Sequence, residues 1–193
     1  MKKILFNDKY GLTKAVLDGR KTQTRRIVPG KLLNEYGHNK FSDKSYELIS
    51  HSPFKVGEEV AVAQSYRDIY EWVNGPVPEC YRFSAWLKKD MFSHKGWNNK
   101  MFVRPKDMPS LIEIANIRVE RLQDISDDDC MKEGVICTNL GFTYEQPWMM
   151  YEKFWIFDSQ KLAFASLIDK TCGKGTLERN PWVFVYDFKL VQR

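Results

Sequence analysis

Two stretches carry the clearest alternation of apolar and polar positions. Residues 111 to 122 run Leu111-Ile112-Glu113-Ile114-Ala115-Asn116-Ile117-Arg118-Val119-Glu120-Arg121-Leu122, rich in β-branched residues with a period of two, and predict a strand. Residues 182 to 191 place Trp182, Phe184, Tyr186, Phe188 and Leu190 on one face and Val183, Val185, Asp187 and Lys189 on the other, as in a core strand. Shorter strands are predicted at 2 to 6, at 23 to 28 before the turn signal Pro29-Gly30, and after the Gly57 turn, where Val60 and Val62 share a side.

Helical signals are fewer. Residues 11 to 17 predict a short helix, with Gly19 where a left-handed stop falls. Ser126-Asp127-Asp128-Asp129 opens a second helix with a capping serine and a carboxylate three residues on, and Gly134 stops it after Glu133. A third runs from Ser159 to Cys172-Gly173, with Leu162, Ala165, Leu167 and Ile168 on its buried side. Residues 31 to 52 have no strong period, and Lys31-Leu32-Leu33 and Tyr46-Glu47-Leu48-Ile49 are open to a helical or an extended reading. Residues 67 to 100, rich in Trp, Pro, Gly and Asn, hold one strand candidate at 80 to 83. Both stretches are read as insertions, and 142 to 157 as aromatic and partly irregular around Pro147.

Five or more strands with long connections and three short helices predict a mainly β (α+β) fold. The expectation is a partly closed β-barrel decorated by helices, one domain over residues 1–193 with insertions at 31–52 and 67–100. No strand–helix–strand period of about 30 residues is visible, and neither G-x-G-x-x-G nor G-x-x-x-x-G-K-[ST] occurs, which excludes the usual dinucleotide and P-loop signatures.

Composition adds little beyond this. The net charge of +5 favours a polyanionic partner without demanding one. Asn7, Asp8 and Lys9 interrupt the opening apolar run too early for a signal peptide, and no window reaches the length of a membrane span, so a soluble cytoplasmic protein with no membrane partner is expected. Cys80, Cys130, Cys137 and Cys172 are scattered, and His38, His51 and His94 stand alone, so no metal and no cofactor is predicted.

The candidate chemistry lies in Gly19-Arg20-Lys21-Thr22-Gln23-Thr24-Arg25-Arg26, where four cations and two hydroxyls follow a helix stop. Such a density suits a site that grips an anionic or nucleotide-like ligand through Arg20, Lys21, Thr22, Arg25 and Arg26. A solvated basic edge is the plainer reading. In an extended chain Lys21 and Thr24 point to opposite faces, so a shared pocket requires a turn or bulge between them.

That stretch, together with Val56-Gly57-Glu58 before a strand, Val119-Glu120-Arg121-Leu122-Gln123-Asp124-Ile125-Ser126 leading to Glu133-Gly134-Val135, and Asn180-Pro181-Trp182-Val183, resembles an ASCH domain of the phage-associated kind. The resemblance spans most of the chain in order. It implies a PUA-like β-barrel, a fold associated with RNA and modified nucleobases. One branch of the family hydrolyses acetylated cytidine with a lysine and a threonine of the G-x-K-x-x-T stretch and a glutamate of the helix after the central strand, and those fall at Lys21, Thr24 and Glu133. The chain departs from that branch in its length and at Ala63-Gln64, where phage-type relatives often carry an Arg-Glu pair. Gln64 is the residue left there to meet a ligand.

Three functions follow as expectations. The first is a module binding RNA, single-stranded nucleic acid or a modified nucleoside. The second is a small amidohydrolase of acylated nucleosides, and the third an interaction protein that keeps only the fold. The changed Ala63-Gln64 pair favours the first.

Overall fold

The computed structural model describes residues 1–36, 44–74, 95–145 and 155–192. Their strands are β1 (Lys2–Ile4), β2 (Gln23–Ile27), β3 (Glu59–Val62), β4 (Ser110–Arg121), β5 (Val135–Thr138), β6 (Gly141–Tyr144) and β7 (Trp182–Gln192). Helices are α1 (Leu12–Leu17), α2 (Gly30–Tyr36), α3 (Lys44–Ser50), α4 (Tyr66–Asn74), α5 (Asp127–Lys132), α6 (Gln160–Cys172) and α7 (Thr176–Arg179). The order β1-β3-β4-β7-β2 makes a mixed five-stranded sheet, with β1 parallel to β3 and β2 antiparallel to β7, and β5 and β6 form a hairpin.

The protein therefore mixes helices and strands, and the described residues form no closed barrel. Seven α-helices stand among the described residues where three were expected. The additional ones are α2, α3, α4 and the one-turn α7, and the first three lie in or beside the two stretches read as insertions. Their short segments are too brief for a 3.6-residue period to declare itself. The strand candidate at 80–83 lies outside the described residues. Among the described residues, no helix is long and apolar enough to cross a membrane.

The chain divides into two compact units. The first comprises residues 1–6, 59–112 and 191–193. Ala61, Ala63, Val103, Met108 and Leu111 make its buried core, flanked by Leu5, Tyr66, Ile69 and Val191. Lys3 ties β1 to the single-turn helix at Lys100–Phe102, its ammonium donating to the carbonyls of Lys100, Met101 and Val103 at 3.1, 2.7 and 2.9 Å.

The second unit comprises residues 7–58 and 113–190. One face of β7 presents Val183 and Val185 to a cluster of Leu122, Ile125, Cys130, Val135, Ala163, Phe164 and Ile168, which joins α5, β5 and α6. On the other face Phe184, Tyr186 and Phe188 are also buried, so β7 is enclosed on both sides. In α6 the buried residues are Ala163, Phe164, Leu167 and Ile168. Leu162, expected inside, is 53% exposed. Phe164 replaces it because Ala163, Phe164, Leu167 and Ile168 form the tighter i, i+1, i+4, i+5 stripe.

The β5–β6 hairpin was not expected, and its second strand, Gly141–Tyr144, begins the stretch read as partly irregular. Gly141 is needed there, since a Cβ at its φ of +134° would stand 2.8 Å from both Ile156 Cγ2 and the Phe157 carbonyl oxygen.

Candidate functional site

The predicted helix stop is real. Gly19 has a φ of +72°, and the chain returns so that the Lys21 amide donates to Ala15 O at 2.9 Å and the Thr22 amide to Lys132 O at 3.0 Å. Residue 21 is thus held at the end of α1 while residue 22 is held at the end of α5. Ser126 caps α5, accepting from the Asp129 amide at 3.1 Å, and the Glu133 amide closes the last turn on Asp129 O at 2.9 Å. Gly134 follows with a φ of +108°, and a Cβ there would lie 3.2 Å from Leu12 Cδ2 and 3.8 Å from Lys21 Cδ. The positive φ favours glycine there, and its missing Cβ avoids a tight contact with Leu12.

These anchors bring Lys21 and Glu133 together across 112 residues of sequence. Lys21 Nζ donates to Glu133 Oε2 at 2.5 Å and to the Glu133 carbonyl oxygen at 2.7 Å. Lys21 is 2% exposed and Glu133 5%. Burial pulls the Lys21 ammonium below the ordinary lysine range, and Glu133 opposes that without reversing it.

Arg25 reaches the same carboxylate from β2. Its Nη1 donates to Glu133 Oε1 at 3.2 Å and to Gln23 Oε1 at 2.5 Å. Nε and Nη2 both donate to Glu120 Oε1, at 3.1 and 2.6 Å, and Nη2 also meets Asp129 Oδ2 at 2.9 Å. Burial works against this guanidinium, but Glu133, Glu120 and Asp129 raise its pKa above the ordinary value. Arg118 extends the network, contacting Glu120, Asp129 and Asp187 at 3.0, 2.5 and 2.9 Å. Gln23 Nε2 donates to Asp187 Oδ1 at 2.6 Å. Burial would raise the Asp129 carboxyl, yet Arg25 and Arg118 hold it below its ordinary value.

The other expected residues are placed differently. Thr24 is 4% exposed and registers opposite Tyr186, on the face of β2 away from Arg25. Arg26 shares that face, half-buried and opposite Phe184, and burial lowers its guanidinium pKa. Arg20 is exposed and pairs with Asp18 at 3.2 Å and Glu145 at 2.9 Å, while Thr22 is exposed between the two anchors. Gln64 belongs to the first unit, is 3% exposed and, among the described residues, has no hydrogen-bond partner for Oε1.

Sequence reasoning passed over Gln23, Arg118, Glu120, Asp129 and Asp187. Asp129 had been taken for a helix-start residue, but it stands four residues before Glu133, on the same face of α5. Gln23 and Arg25 share one face of β2, and Arg118 and Glu120 one face of β4, by the same rule of two. Those spacings were the available signal. Buried within the neighbouring cluster, Cys130 has its thiol pushed up to about 12 by desolvation, against the pull of Arg25, which leaves it unreactive.

Comparison with protein-family models, with curated proteins and with solved structures finds no match to this chain.

Proposed function

We propose that the chain is an ASCH-type, PUA-like module whose Lys21–Glu133 pair recognises a modified nucleoside. The observation that carries the reading is the buried contact of 2.5 Å between Lys21 Nζ and Glu133 Oε2. A cationic donor beside a carboxylate acceptor matches the edge of an aminopyrimidine, which offers a ring acceptor next to an exocyclic N–H. Ligand entry exchanges the Lys21–Glu133 bond for two bonds to that edge. Recognition of a bare phosphate backbone is less favoured, because Arg25 is enclosed by carboxylates and Arg20 is paired with two others.

The same buried cation–carboxylate pair supports a second reading, hydrolysis of an acylated amino group. Water adds to the acyl carbon, the C–N bond breaks, and the amine leaves with a proton as the carboxylic acid forms. Lys21 would stabilise the oxyanion and Glu133 would carry the proton to the leaving nitrogen. Water suits the nucleophile's role better than Thr24, which faces the other side of β2.

The test is titration calorimetry of the protein with N4-acetylcytidine and with cytidine, alongside chromatographic assay for released cytidine and acetate. Binding that Lys21→Ala and Glu133→Ala abolish is the expected result. A parent protein that binds neither nucleoside would remove the proposal, whereas binding without product release would remove only the hydrolytic reading.

A further inference from the structure

We infer that Arg25 is a positioning residue, which fixes the Glu133 carboxylate so that its second oxygen is presented to Lys21. The inference deepens the proposed site and takes its importance from it, although the geometry stands without a ligand. It assigns Arg25 a task different from gripping phosphate.

The fork of Arg25 is filled. Nε serves Glu120, Nη2 serves Glu120 and Asp129, and Nη1 serves Gln23 and Glu133. Those acceptors sit on β4, α5 and β2, so the planar guanidinium is fixed from three elements before it touches Glu133. Glu133 is the residue at the C-terminal cap of α5 and follows only a short helix. Without a second hold its side chain would keep rotamer freedom, and the Lys21 contact would depend on Lys21 alone. With Oε1 taken by Arg25 at 3.2 Å and Oε2 by Lys21 at 2.5 Å, each oxygen of the carboxylate is committed to a different cation. Lys21 takes a second anchor from the Glu133 carbonyl at 2.7 Å, so backbone and side chain of one residue frame the ammonium.

Charge alone does not do this. Arg25 is among the cations that lower the Lys21 pKa, together with Arg26, while Glu133 raises it. A lysine at position 25 keeps the repulsion but cannot span Glu120, Asp129 and Glu133 at once, so Arg25→Lys separates geometry from charge.

The measurement is the titration of Lys21 Nζ by NMR in the protein without ligand, assigned with Lys21→Ala. In Arg25→Lys, Glu133 is no longer aimed at Nζ and its raising effect declines, so Lys21 titrates at lower pH than in the parent. Affinity for N4-acetylcytidine falls by roughly tenfold, the scale of one lost charge-assisted hydrogen bond. Should Arg25→Lys fail to fold, Glu120→Gln, which loosens the guanidinium from the far side, gives a smaller shift in the same direction. Lys132→Ala is the control: its exposed ammonium touches Asp129 at 3.3 Å from outside, and it leaves the Lys21 titration in place. A Lys21 titration unchanged in a folded Arg25→Lys or Glu120→Gln protein, or moved equally by Lys132→Ala, overturns the inference. Because it is read without ligand, it can fail while nucleoside binding persists, or hold where binding is absent.

Discussion

The two faces of β2 are made by alternate residues of one five-residue strand, and they solve burial in opposite ways. On one face Gln23 and Arg25 enter a network of carboxylates supplied by β4, α5 and β7. On the other, Thr24 and Arg26 lie over Tyr186 and Phe184, with Phe54 packed edge-on to Tyr186 at 5.3 Å. The first face holds charge around a buried guanidinium, Arg25, with partly buried Glu120 and Asp129 at its edge, so that each ion depends on the others. The second depends on apolar area and a hydroxyl pair, Ser52 and Tyr186, 2.7 Å apart. A stretch that reads as uniformly cationic in sequence is therefore divided by the strand into a charge-locked half and an aromatic half.

The largest effect expected is at Arg25. Arg25→Ala leaves Glu120, Asp129 and Glu133 facing one another without their shared cation, and removing one partner of a buried ion pair costs about 3–5 kcal/mol. Urea unfolding of the variant measures it. A loss below about 1 kcal/mol, the range of exposed pairs, would show that the two faces are not energetically different.

Asp129→Asn is expected to cost less, on the order of 2 kcal/mol for the weakened bonds from Arg25 and Arg118. It also carries a pH signature. The folded Asp129 carboxyl titrates below its ordinary value of 3.8, so its stabilisation is present above that value and is lost as pH falls through the lower, folded one. Unfolding followed from pH 5 downward should show a shallower acid decline in Asp129→Asn than in the parent.

How much of this was legible follows from the same alternation. The long strands, β4 and β7, and the capped helix α5 were readable because a period of two or a Ser-x-x-Asp cap is a local property of the chain. The meeting of Lys21 with Glu133 was open to expectation only through likeness to a motif, since nothing local links residues 112 apart. The role of Arg25 was readable no further than its sharing a face of β2 with Gln23. Its phosphate reading came from the neighbouring cations, whereas its partners Glu120 and Asp129 become neighbours only when β2, β4 and α5 pack. Helices α2 and α3 stayed open between a helical and an extended reading, and the hairpin β5–β6 and helix α4 escaped, because each is shorter than the window in which a period is visible.

On the aromatic face the effect should be smaller and of opposite sign in pH. Tyr186→Phe removes one hydroxyl of the Ser52 pair, about 1 kcal/mol by the usual worth of such a bond. Burial holds the Tyr186 hydroxyl above its ordinary value of 10, with Ser52 and Arg26 pulling the other way. Its contribution is whole below pH 10 and is lost as pH rises through the raised folded value. Parent and variant should therefore converge in stability under alkali. A parent that keeps its advantage there would place the stabilisation in packing rather than in the hydroxyl.

The smallest effect is expected at Arg20, which tests whether the contrast belongs to the strand or to arginines of this stretch in general. Arg20 has as many carboxylate neighbours as a stability count would wish, Asp18 at 3.2 Å and Glu145 at 2.9 Å, but its side chain is 38% exposed against 1% for Arg25. Water and salt screen an exposed pair, and ordering its long side chains offsets much of the attraction. Arg20→Ala should thus cost no more than about 1 kcal/mol in urea unfolding, and less still in 0.5 M salt. Arg25→Ala should lose less of its cost under the same salt, because the guanidinium is buried and its partners are mostly so. If both variants lost stability equally and with the same salt dependence, the enclosure of the Gln23–Arg25 face would have no energetic meaning, and Arg25 would return to the set of ordinary surface cations.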